Sequence, residues 1–123
     1  MTPFGILLRG AGHEPAHYAL VLATAAAAIG RPVTLFATNA GLALFRRDGV
    51  LLGDPRELRL SDRGVAGIAT LLEAATDLGI RLIACEAGMR AEGIEPPDLV
   101  GEVQVAGVIT FLEAVGGGQM LSL

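Results

Sequence analysis

The hydrophobic positions of this chain fall into two periods. Almost uninterrupted apolar runs of four to six residues recur at 4–9, 32–37, 80–85 and 103–106. Runs of that length, stopped by turn residues, suit strands covered on both faces of a parallel sheet. Between them the spacing turns helical. Tyr18, Leu22, Ala25 and Ile29 recur at helical intervals over 15–29, with Pro15 in the first turn and Gly30 and Pro32 beyond the end. Val65, Ile68, Ala69, Leu72, Ala75 and Thr76 predict a second helix, which Asp62 is placed to cap and Gly79 to close. Val108, Phe111, Leu112 and Val115 predict one face of another, and residues 120–123 a short strand after the turn at 116–118. Asn39 is placed to cap a short helix through Phe45, and residues 86–92 form another that Gly93 stops. Residues 46–60 carry turn signals at Asp48, Gly49, Gly53, Asp54 and Pro55, and are expected to be a loop or flap.

Strands about 25 residues apart with helices between them are βαβ units, hence an α/β fold with helices on both faces of a parallel sheet. No repeat, low-complexity tract or linker divides residues 1–123, so one domain is expected. In such sheets the reaction site lies at the carboxyl ends of the strands. That rule confines the search to residues 9–17, 37–41, 85–90 and 106–107.

Composition narrows the function classes. With 52% apolar and 18% charged residues, the chain is not disordered. Nine basic residues, all Arg, against 13 acidic ones give a net charge of −4 and leave no basic run for phosphates, which speaks against a nucleic-acid partner. The apolar stretch 19–29 is too short for a membrane span, which needs roughly 20 residues, and the start of the chain lacks a signal-peptide pattern. The one cysteine excludes an internal disulfide and fits a reducing cytoplasm. A mean hydropathy of +0.57 in so short a chain predicts apolar surface buried between copies.

Cys85 ends an apolar strand and opens a short helix, where unpaired backbone N–H groups favour a thiolate; packing as a small hydrophobe is the alternative, and the Glu86 carboxylate opposes ionisation. His13 and His17 lie four residues apart and can share a helical face. Residues 13–17 superficially match H-E-x-x-H, but Pro15 belongs at a helix start and no third ligand is evident, so no metal site is expected. Gly10 and Gly12 begin like a dinucleotide fingerprint, yet Pro15 stands where a third Gly is due and no acid follows the second strand. That argues against a nicotinamide cofactor. Neither a P-loop nor G-x-S-x-G occurs.

The segment IRLIACEAGMRAEGI at 80–94, followed by VQVAGVITFL at 103–112, resembles the DsrE/DsrF-like family of sulfur-relay proteins: a strand ending in Cys, a short helix ending in Gly-Ile, then a valine-rich strand running into Gly-Val and a helix. The resemblance implies a three-layer α/β/α sandwich with a five-stranded, mainly parallel sheet, assembled as a homotrimer or homohexamer. It also implies that Cys85 accepts sulfane sulfur as a persulfide and passes it on. This chain has Ala87, Gly88 and Met89 where a Ser-containing pattern is commoner, and lacks a second Cys for an internal relay.

Persulfide transfer needs no cofactor, only a thiolate and a second thiol, here from a partner protein or a small thiol acting as donor and acceptor. In that reading the N–H groups of Ala87 and Gly88 stabilise the Cys85 thiolate, His13 donates a proton, and Met89 is an apolar wall. The family's strand order is expected to make the first and third strands neighbours, bringing the loop from Gly10 to His13 beside Cys85. Two other functions fit the same residues. One is a non-catalytic module holding a nucleotide or small anion through Gly10, Gly12 and Asn39; the other is a purely structural oligomer.

Overall fold

The computed structural model describes residues 1–123. Five strands, β1 (Phe4–Leu8), β2 (Val33–Ala37), β3 (Arg81–Cys85), β4 (Gln104–Ala106) and β5 (Gln119–Ser122), form one sheet in the order β4-β3-β2-β1-β5. Every pairing in it is parallel. All carboxyl ends therefore lie along one edge, and the register sets Leu8 beside Ala37, Ala37 beside Ala84, and Cys85 beside Ala106.

The two sheet faces are covered unequally. The helices α1 (His13–Ala28) and α3 (Ile68–Asp77) pack side by side over one face. Ile6, Leu8, Leu35 and Leu82 meet Ala16, Ala19, Leu20 and Ala23 there in the main core. The buried face of α1 is thus its alanine face. Tyr18 and Ile29 stay 52% and 68% exposed, contrary to the stripe through Tyr18, Leu22, Ala25 and Ile29. The helix is apolar on nearly every side, so periodicity alone does not select a face, and the smaller side chains allow the closer approach.

The other face carries one helix, α5 (Val108–Val115), over a smaller core of Phe36, Ile83, Cys85, Phe111 and Val115. Phe36 and Phe111 stack with centroids 4.8 Å apart. The approach is close enough that a Cβ at Gly5 would lie 2.2 Å from Val115 Cγ2, so β1 must have glycine under α5. Val108 and Leu112, expected on the inner face, are each 51% exposed.

The region expected to be a loop is partly helical. A 3-10 turn at Val50–Gly53 leads into α2 (Pro55–Asp62), which Asp54 caps by accepting the Arg56 N–H at 2.8 Å. Asp62 consequently ends one helix instead of capping the next. The helix α3 starts only at Ile68, leaving Val65 outside it and exposed. Its start is Gly67, without a side-chain cap of its own; the Ile68 N–H donates instead to Glu57 of α2 at 2.8 Å. Asn39 likewise caps nothing: it is the first residue of a 3-10 turn, Asn39–Phe45, that follows Thr38. The expected adjacency of the first and third strands is overturned, because β2 lies between them.

Candidate functional site

The site is built where β3 passes into α4 (Glu86–Glu92). Leu82 to Cys85 are buried without a break, and Cys85 keeps extended backbone at φ −68° and ψ 121° before the chain turns into the helix. That geometry folds the sulfur back over the first helical turn, where Cys85 Sγ accepts the Gly88 N–H at 3.4 Å. Only Gly88 makes this donation, and the Ala87 N–H does not reach the sulfur. Glu86 is drawn to Arg90 one turn on, an exposed i,i+4 pair.

Glycine at 88 has a second reason. A Cβ there would lie 2.3 Å from Thr38 Oγ1 and 2.8 Å from the Asn39 nitrogen, so α4 sits directly against the end of β2. Cys85, Gly88, Thr38 and Asn39 are thereby brought together at the carboxyl edge. Asn39 is the one non-glycine residue with positive φ, 52°, in the left-handed region that Asn tolerates better than most. The sulfur itself is largely covered, Cys85 being 7% exposed and packed with Phe36, Ile83, Phe111 and Val115. Its neighbour across β4, Ala106, is half-buried, and the following Gly107 is exposed.

The remaining expected site residues go elsewhere. Met89 is buried in the main core, apart from the cluster that holds the sulfur, so it is not a wall beside Cys85. His13 opens α1 and is 3% exposed; its Nε2–H donates to Glu57 Oε1 at 2.6 Å, and its ring stacks on that of His17 at 5.6 Å. The proton donor expected beside Cys85 is therefore not there. With β2 intervening and α1 packed over the face opposite the Cys85 cluster, the histidine is turned toward α2. His17 Nε2–H donates to the Ala66 carbonyl at 2.9 Å. Gly12 is exposed at the start of α1, and the Gly10 N–H already donates to the Leu123 carbonyl at 3.1 Å.

Glu57 is the group that sequence reasoning missed. Its carboxylate joins three helices, accepting from the His13 ring and from the Ile68 N–H while belonging to α2. Burial acts to raise its pKa, but the Ile68 N–H, the His13 ring and the Ala69 N–H together hold it below the usual carboxylate value. The pattern Asp54, Pro55, Glu57 is a readable helix start; nothing in it points to His13. The carboxylate holds the His13 ring by Nε2, and Nδ1 is buried without a partner.

No three His, Cys, Asp or Glu side chains converge as a metal site, and no helix is long and apolar enough to cross a membrane. Comparison with known proteins decides the family. The sequence pattern of the DsrE/DsrF-like family matches residues 3–121. The chain belongs to the DsrE/DsrF-like family. Two solved structures share the DsrE-like fold over the whole of both chains. They are the ychN protein from E. coli, with 16% identity and a TM-score of 0.71, and MTH1491 from Methanobacterium thermoautotrophicum, described as a protein of unknown function, with 17% identity and a TM-score of 0.67. No curated protein matches the chain.

Proposed function

We propose that this DsrE/DsrF-like protein is a sulfur carrier that holds sulfane sulfur on Cys85. One observation carries the reading: the only cysteine stands at the carboxyl edge of the sheet with a backbone N–H, that of Gly88, directed at its sulfur. That hydrogen bond orients the sulfur at the start of α4. In loading, the Cys85 thiolate attacks the outer sulfur of a donor persulfide, forming a new S–S bond while the donor's S–S bond breaks and its thiolate leaves. In unloading, an acceptor thiolate attacks the outer sulfur and Cys85 departs as thiolate, so no oxidant or cofactor enters. Donor and acceptor thiols belong to a partner protein or a small molecule, and the reducing cytoplasm is the compartment where such thiols persist.

Because Cys85 is buried in the single chain, access at the short strand β4, over Ala106 and Gly107, is part of the proposal. Assembly of copies through the face of α5 is another part, supported by the exposure of Val108, Ile109, Leu112 and Met120; a homotrimer or homohexamer is the form expected. The packing of Cys85 against Phe36 and Phe111 favours a second reading, a non-catalytic oligomeric module that binds a nucleotide or small anion at the same edge. The engaged Gly10 N–H leaves Asn39 and Gly12 as its available groups. Incubation with a persulfide donor followed by intact-mass measurement separates the two. A sulfur adduct absent from Cys85→Ser supports the carrier, whereas no adduct together with ligand-induced thermal stabilisation supports the module.

A further inference from the structure

A groove of about 380 Å³ runs between α3 and the chain at 100–102. Leu72 and Val100 form its apolar floor, and the carboxylates of Glu73, Asp77 and Glu102 stand around it. None of the three has an ion-pair partner. Beside it, sharing Ala69, Leu72 and Val100 as lining, lies a mostly apolar pocket of about 100 Å³ that includes Leu51 and Ile68. Arg46 and Arg47 close its far rim, but Arg46 is held by Asp48 at 3.0 Å and Arg47 donates to the Leu99 carbonyl at 3.1 Å. The surface thus offers a recess for one aliphatic side chain beside uncompensated negative charge.

The chain carries the complementary feature. The helix α2 buries no residue, Leu58 is 68% exposed, and Arg59 and Arg63 are exposed without ion pairs. Of its other charges, Arg56 is engaged with Glu14 and Glu57 with His13, while Asp62 has no ion-pair partner. An eight-residue helix lies below the roughly 12–15 residues that hold together in water on propensity alone, so a cover for Leu58 stabilises it.

We infer that α2 of one copy docks into the α3 groove of another, Leu58 entering the apolar pocket while Arg59 and Arg63 meet Glu73, Asp77 and Glu102. Asp62, which lies between Leu58 and Arg59 around the helix, is a like charge toward the groove's carboxylates, and Arg46 and Arg47 on the pocket's far rim are like charges toward Arg59 and Arg63. The interface is separate from the α5 face and does not depend on sulfur chemistry. Reciprocal contacts close it as a two-fold pair.

Charge exchange tests it. One variant reverses the groove, Glu73→Arg with Asp77→Arg; a second reverses the helix, Arg59→Glu with Arg63→Glu. All four side chains are exposed, and circular dichroism checks that each variant is folded. Like charges at the contact weaken self-association of either variant by at least about tenfold, read by sedimentation velocity at low salt. In a mixture, each reversed surface finds an opposite one on the other variant, so the larger wild-type species returns. Equal sizes for the wild type and both variants would overturn the inference, since assembly would then rest on other surfaces. Loss of the larger species in each variant without recovery on mixing would overturn it as well.

Discussion

Cys85 receives one backbone N–H and belongs to a small buried apolar cluster, so its behaviour is set by two influences acting in opposite senses. Gly88 supplies the hydrogen bond, and the apolar cluster that includes Phe111 covers the sulfur. Gly88→Ala tests the first contribution: the added Cβ collides with Thr38 Oγ1 and the Asn39 nitrogen, α4 must shift, and the Gly88 N–H leaves the sulfur. A loss of roughly 1–3 kcal/mol in urea unfolding is expected, as for other overpacked sites, with slower alkylation of Cys85 per unit of exposure. Glu57 makes a different prediction, for stability against pH. Because its carboxyl is held below its ordinary value when folded, its contribution is present above the unfolded pKa and is lost as pH falls through the lower, folded one. Glu57→Gln is therefore less stable than the wild type by about 1–3 kcal/mol at neutral pH, and the two unfolding curves converge in acid. Curves that stay parallel down to low pH would contradict the role given to Glu57. Of these residues the sequence exposed Cys85 and Gly88 through the strand-to-helix motif. His13 and Glu57 lie 44 positions apart and meet only because the fold brings α2 beside the start of α1, which no local pattern encodes.

At the scale of elements, the first four strands were legible as short apolar runs bounded by turn residues, and the fifth from the glycine turn before it. Their order was not. Strands covered on both faces look alike whichever neighbour they take, and the intervening β2 is what separates His13 from the sulfur. The helix α2 escaped notice because it buries nothing and so shows no apolar stripe, although Asp54 and Pro55 mark its start. The helix α5 has the opposite property, two apolar faces, one inward and one outward. Phe111→Ala removes the ring that stacks on Phe36, and a cost of about 3–5 kcal/mol in unfolding free energy is expected. The same change opens the space beside Cys85. Faster alkylation in native buffer, below the unfolding transition, is the accompanying result; an unchanged rate would show that α5 does not limit access and would leave the route over Ala106 and Gly107.

For the whole molecule, the unequal covering of the sheet is the dominant feature. One face has α1 and α3, the other only an eight-residue helix whose Val108, Ile109 and Leu112 point outward. Replacing Ile109 and Leu112 by Asp places charge on that face without touching the core, and size-exclusion chromatography is expected to show a smaller species whose formation, unlike the α2 contact, varies little with salt. Family membership was readable from the segment around Cys85; the extent of burial of its sulfur was not, because exposure is set by α5 and by whatever covers it.

Exchange of sulfane sulfur at Cys85 is measured by treating the native protein with a persulfide donor, removing excess donor, and weighing the intact chain before and after addition of a thiol acceptor. The wild type is expected to gain one sulfur atom and Cys85→Ser none, and the added atom disappears with the acceptor. A wild-type chain that gains no mass under native conditions, but gains it once unfolded, would contradict the claim and leave Cys85 as part of the core.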